Sequence, residues 1–301
     1  MQSRVQAGFM RDGGKAQSRV VENLRNFLKH DDAKRVTKKD LLAWRDHLMK
    51  DKAAKTVRDI YLSTVRSLFA WATENDRLPE NVAATVKQAK PRKTYGRERG
   101  YTDQEAVRIL KMSRSYKPHA DEFGYIREIP QLVVAKRWVP IICAFTGARV
   151  SEIVQLRKED FREIDGHTVA RITPDAGTVK AGGYREVPLH PQIIAEGFTQ
   201  FVQDAAPGPL FHNGTGQGTF AAKAKRYSNR LAEWVSKSGI KPEGLQPNYA
   251  WRHRFKSQSI ELGISPRVYD AIQGHSAKSA SDGYGDVSIK AKLDAIGRLP
   301  N

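Results

Sequence analysis

The sequence predicts a mainly α-helical protein with a small antiparallel β-sheet, divided into two domains. Three observations carry this. Apolar residues recur at helical spacing through the N-terminal third. A basic stretch with Pro and Gly then interrupts the pattern at 87–100. Beyond it, two short alternating segments stand among further helical runs. The chain has 301 residues, the length of about two ordinary domains.

Taken in order, positions 1–15 are polar and read as an N-terminal extension, disordered or truncated. Residues 19–28 place Val20, Leu24, Phe27 and Leu28 at helical spacing. Thr37 and Asp40 have the spacing of a capping box and open a helix from Leu41 to Met49. From Thr56 to Trp71 the residues Val57, Ile60, Tyr61, Val65, Leu68, Phe69 and Ala72 form one apolar stripe, with Lys55, Arg58 and Arg66 off it. Tyr61, Phe69 and Trp71 are expected in a helix-bundle core. The arginines and lysines either face solvent or meet a polyanion.

The segment 91–100 is read as a basic linker between a helical domain at 16–90 and a second domain at 101–301. Thr102 and Glu105 cap the next helix, and Ala135 to Phe145 forms an apolar one. Val169 to Thr173 and Tyr184 to Leu189 alternate like strands, with turns at 175–177 and 181–183. Helices follow at 192–202, 221–237, 251–262 and 265–272, and a short amphipathic tail at 288–297. Val287, Ile289, Leu293 and Ile296 are its apolar residues.

The charge narrows the function. Lys and Arg number 51 against 33 Asp and Glu, a net charge of +18. Such an excess favours a polyanionic partner, because phosphate contacts release condensed counterions. No apolar run approaches the length of a membrane span, and the start lacks the pattern of a secretory signal. The single cysteine, Cys143, lies in an apolar run and reads as a buried structural thiol in a reducing cytoplasm. Eight scattered histidines form no HExxH or Cys/His cluster, and neither GxxxxGK[ST] nor GxSxG occurs. Neither metal nor nucleotide cofactor is expected.

What remains is a series of phosphate-friendly side chains. Thr146-Gly-Ala-Arg149 ends one helix and begins another, with Glu152 following. Glu152 is either a hold on Arg149 or a solvated carboxylate. Lys180 stands at a turn ahead of Arg185-Glu-Val-Pro-Leu189. Tyr249 and Arg252 are spaced i,i+3 on a helix. Gly274-His275 follows a short helix, and Tyr284 lies nine residues on between two glycines. Singly, each has an ordinary structural reading.

In this order, the residues resemble the tyrosine recombinase (phage integrase) family, over residues 16 to about 298. The resemblance implies a helical core-site DNA-binding domain at 16–90 and a mixed α+β catalytic domain with a C-terminal tail at 101–301. The two would form a clamp on duplex DNA. It implies that Arg149 and Arg252 grip the scissile phosphate, Lys180 protonates the leaving 5′ oxygen, and His275 assists. Tyr284 would be the nucleophile, forming a 3′-phosphotyrosine without metal or ATP. The family usually has histidine where this chain has Tyr249, a phenol that can donate a hydrogen bond to phosphate but cannot become a cation. Implied partners are double-stranded DNA, a homo-tetramer on two DNA sites joined through the tail, and an accessory DNA-bending or directionality factor. The short N-terminus implies either a two-domain recombinase or a chain shortened ahead of an arm-site-binding domain. A DNA-binding relative without catalysis and a type IB topoisomerase share much of this series.

Overall fold

A computed structural model of the chain describes residues 13–89, 96–180, 182–275 and 285–300. Contacts divide it into two compact units, Met1–Thr94 and Tyr95–Asn301.

The first unit is helical. Helix α1 (Lys15–Leu28) buries Val20 and Leu24. Helix α2 (Lys38–Met49) begins where expected: the Thr37 side chain accepts from the Asp40 N–H, and Asp40 accepts from the Thr37 N–H at 2.9 Å. The Thr37 hydroxyl also donates to Asp40 Oδ2 at 2.7 Å, and this bond, with the one from the Thr37 N–H, holds the Asp40 pKa below its ordinary value. Trp44 is fully buried, and its indole N–H donates to Asn23 Oδ1 at 2.9 Å. Helix α3 starts at Ala54–Thr56, passes through a π-helical stretch at Val57–Leu62 and continues as Ser63–Glu74.

That stretch corrects the expected apolar stripe. A π turn bonds five residues apart and rotates the following side chains relative to an α-helix. Val57 and Leu62 therefore share the buried face, while Ile60 is 49% exposed. Phe69 is in the core, Tyr61 packs edge-on against Trp44, and Trp71 is only half-buried. Arg58 pairs with Asp59, and Arg66 donates to the Val86 carbonyl, so both have partners within the unit.

The second unit is built on helix α5 (Pro130–Thr146), whose Ile141, Ile142, Cys143 and Phe145 are buried. Burial pushes the Cys143 thiol pKa up, as befits a structural thiol. Helix α4 (Asp103–Arg114) carries the expected Thr102/Glu105 capping box. It packs on α5, as do α6 (Val150–Val154) and α10 (Pro247–Glu261). Strands β1 (Phe161–Ile164), β2 (His167–Ile172) and β3 (Arg185–Pro188) form an antiparallel sheet in that order. The sequence reading missed β1. It pairs with β2 around Asp165-Gly166, whose φ values of 50° and 75° make a two-residue hairpin turn.

The helix expected at 192–202 is two helices, α7 (Pro191–Ala195) and α8 (Phe198–Asp204). Gly197, at φ 90°, breaks the run between them. Helix α9 (Gln217–Lys237) is long, and α11 (Pro266–Gln273) is short. Helix α12 (Ile289–Gly297) is capped by Ser288 and packs on β3 and α11 of the same chain. Among the described residues, no helix is long and apolar enough to cross a membrane.

Candidate active site

The end of α5, the start of α6, the start of β3, the middle of α10 and the end of α11 converge. Gly147 ends α5 in the left-handed region at φ 57°. A Cβ there would lie 2.5 Å from Gln273 Nε2 and 2.7 Å from the Phe255 ring. Only glycine lets α5 turn this close to α10 and α11. Arg149, two residues on, is the N-cap of α6.

Arg149 donates through Nη1 to Glu152 Oε1 at 2.8 Å and, more weakly, to the Gly274 carbonyl at 3.5 Å. Glu152 is 1% exposed, so the structure selects its role as a hold on Arg149 over that of a solvated carboxylate. Its other oxygen, Oε2, accepts from Arg185 Nη2 at 2.6 Å. Burial raises the Glu152 pKa, but Arg185 and Arg149 outweigh it and leave the carboxyl below its ordinary value.

Arg252, on α10, is buried at 8% exposure. Its Nη1 donates to the Gly147 carbonyl at 2.8 Å and to the Gln273 carbonyl at 2.7 Å. Gln273 Nε2 donates back to the Arg252 carbonyl at 2.8 Å. Arg252 Nη2 is buried and makes no hydrogen bond among the described residues. Burial, then Arg149, draws the Arg252 pKa down to about 10, so the guanidinium stays charged at neutral pH. A caged, planar guanidinium with an unused donor suits an oxyanion such as a phosphate.

His275 follows the C-cap of α11, and its Nδ1 lies 2.7 Å from Asp270 Oδ1. A carboxylate only accepts, so neutral His275 carries its hydrogen on Nδ1 and leaves Nε2 free to accept. Lys256 Nζ also approaches Asp270 Oδ1, at 3.5 Å.

Arg149, Arg252 and His275 are thus brought together through the Gly147, Gln273 and Gly274 backbone. Lys180 is exposed on the β2–β3 connection and makes no hydrogen bond to this cluster among the described residues. Tyr249 is 55% exposed although Arg252, three residues on, is buried. Tyr284 lies outside the described residues. Sequence reasoning gave no role to Arg185, Asp270 or Gln273. Only Arg185 lay within a noted motif, and the contacts of all three span distant parts of the chain or a helix end.

No family model matches the chain. It is 27% identical over 175 residues to the tyrosine recombinase XerA of Pyrococcus furiosus (strain ATCC 43587 / DSM 3638 / JCM 8422 / Vc1), which covers 58% of this chain and 57% of that protein. The chain therefore spans less than two thirds of that relative. Among solved structures it is similar to a Tn1549 transposon integrase in complex with transposon right end DNA, at TM-score 0.63 and 16% identity, covering 98% of each chain. It is also similar to a lambda integrase dimer bound to a COC' core site, at TM-score 0.58 and 19% identity, covering 91% and 90%. The XerH recombinase bound to difH matches at TM-score 0.58 and 15% identity, covering 87% of this chain and 71% of that one. These likenesses establish the fold of the integrases.

Proposed function

We propose that this chain, which has the tyrosine-recombinase fold and a tyrosine recombinase among its relatives, is a site-specific DNA recombinase. The observation that carries the reading is the paired guanidinium site: Arg149 and buried Arg252, with Arg252 Nη2 unused. Two fixed cations of this geometry stabilise the charge that develops on a phosphate in transesterification.

In the proposed reaction the Tyr284 oxygen attacks phosphorus. The bond to the 5′ oxygen breaks, and a 3′-phosphotyrosine forms. The phenol proton passes toward His275 Nε2, and Lys180 supplies a proton to the departing 5′ oxygen. A 5′ hydroxyl from the partner strand reverses the step. The phosphodiester energy stays in the covalent intermediate, so neither metal nor ATP is required. Tyr249 would donate a hydrogen bond to the phosphate on substrate binding. The unit at 16–90 would bind core-site DNA, 91–100 would link it, and 101–301 would perform catalysis. Strand exchange would occur in a homo-tetramer on two sites, joined through the tail, in the cytoplasm and with an accessory DNA-bending or directionality factor.

The test is a nicked suicide duplex carrying the flanks of the chain's own gene. Wild type is expected to form a covalent adduct, lost by at least about 10²-fold in Tyr284→Phe. An adduct that persists in Tyr284→Phe and disappears in Tyr249→Phe moves the nucleophile to Tyr249. Retention of DNA without any adduct identifies a binding-only protein. Relaxation of plasmids lacking the site identifies a topoisomerase.

A further inference from the structure

Arg185 is the first residue of β3, yet its side chain is only 9% exposed and reaches two other elements. Nη2 donates to Glu152 Oε2 on α6 at 2.6 Å, and Nε donates to the Ile272 carbonyl near the end of α11 at 3.0 Å. Gly274 lies against the guanidinium: a Cβ there would sit 2.5 Å from Arg185 Nη1 and 2.6 Å from its Cζ. Nη1 itself is buried and makes no hydrogen bond among the described residues. Arg185 thus lies against Gly274 with little of its side chain exposed.

The sharing of Glu152 has a consequence for Arg149. A carboxylate facing a single arginine accepts a two-pronged fork and occupies both ends of the guanidinium. Here Oε2 accepts from Arg185 Nη2 and, at 3.3 Å, from the Arg149 backbone N–H, while the Arg149 guanidinium meets Oε1 through Nη1 alone. Among the described residues Arg149 Nη2 and Nε make no hydrogen bond and can meet a ligand. The charges agree, since two guanidinium groups share one carboxylate and the trio keeps a net positive charge. The bond to Ile272 also fixes the backbone just ahead of His275.

We propose that Arg185 is a positioning residue for the phosphate site: it holds Glu152 away from a closed pair with Arg149 and anchors the end of α11 that carries His275. This rests on the recombinase reading above. It predicts that Arg185 acts on the rate of cleavage through the charge of the phosphate, without touching DNA.

The experiment measures single-turnover cleavage of the nicked suicide duplex by wild type, Arg185→Met and Arg185→Lys. It is repeated on a duplex with a methylphosphonate at the cleavage position mapped with wild type. A methylphosphonate lacks one charged oxygen and relies less on the arginines. Arg185→Met is expected to cleave the phosphodiester about 10²-fold more slowly with DNA affinity unchanged within about threefold. On the methylphosphonate the deficit is expected to shrink to about tenfold or less. Arg185→Lys keeps the buried charge but is a single point donor, so it is expected to show a smaller deficit with the same substrate dependence. It carries the test if Arg185→Met does not fold. Wild-type rates in the variants, or equal losses on both substrates, overturn the proposal. A wild type that forms no adduct overturns the recombinase reading and this inference together. A wild-type adduct beside an unaffected Arg185 variant overturns this inference alone.

Discussion

Asp270 sets the state of His275 from 2.7 Å away. Burial lowers the His275 pKa from its ordinary 6.5, and Arg252 and Lys256 push the same way. Asp270 opposes them by hydrogen bond and by charge, and the net direction is down. Asp270→Asn is therefore expected to lower the His275 pKa further, read by NMR titration of the ring protons. A value that rises or stays put would contradict the pairing. The linkage has a definite sign. A histidine with a depressed folded pKa contributes stability that is complete above 6.5 and is lost as pH falls through the folded value. Asp270→Asn extends that loss on the acid side. Part of this site was readable from the chain, because Arg149, Arg252 and His275 occur in a recognisable order. Asp270, Arg185 and Gln273 were not. Arg185 meets Glu152 33 positions away and the Ile272 carbonyl 87 away, and neither partner leaves a local pattern.

At the scale of elements, the π-helical stretch in α3 decides which apolar residues support the first unit. Leu62 is 3% exposed and Ile60 is 49% exposed, although α-helical spacing from Val57 favours Ile60. Leu62→Ala is expected to cost about 2–5 kcal/mol, and Ile60→Ala about 0.5 kcal/mol or less. Urea unfolding of the two variants separates them, and equal costs would mean a regular α-helix in solution. The same contrast explains what local pattern reading reached. Helices with a sustained period and a capping box, such as α2 and α4, were legible because their signals are local. The π turn was not, since any assumed period of 3.6 residues passes over it. Strand β1 escaped because its four residues are half-exposed or exposed throughout and do not alternate. The break between α7 and α8 rests on one glycine with positive φ.

The charge of the whole molecule is unevenly divided. Residues 1–94 carry 21 Lys and Arg against 11 Asp and Glu, a net +10, while 95–301 carry 30 against 22, a net +8. Less than a third of the chain thus holds more than half of the excess. Part of that charge is already engaged internally, as Arg58 with Asp59 and Arg66 with the Val86 carbonyl. Lys38, Lys39 and Lys55 are exposed and form no ion pair among the described residues, so they are candidates for phosphate contact. Affinity for duplex DNA is expected to fall by about 10³-fold or more between 50 and 200 mM salt, as for proteins that contact six to ten phosphates. Each of the three lysines that meets a phosphate should, when changed to alanine, reduce the slope of log affinity against log salt by about 1. Fluorescence anisotropy on a labelled duplex over a salt series measures both quantities. A slope that none of the substitutions moves would assign the contacts to the second unit, whose lower charge density makes it the weaker electrostatic anchor.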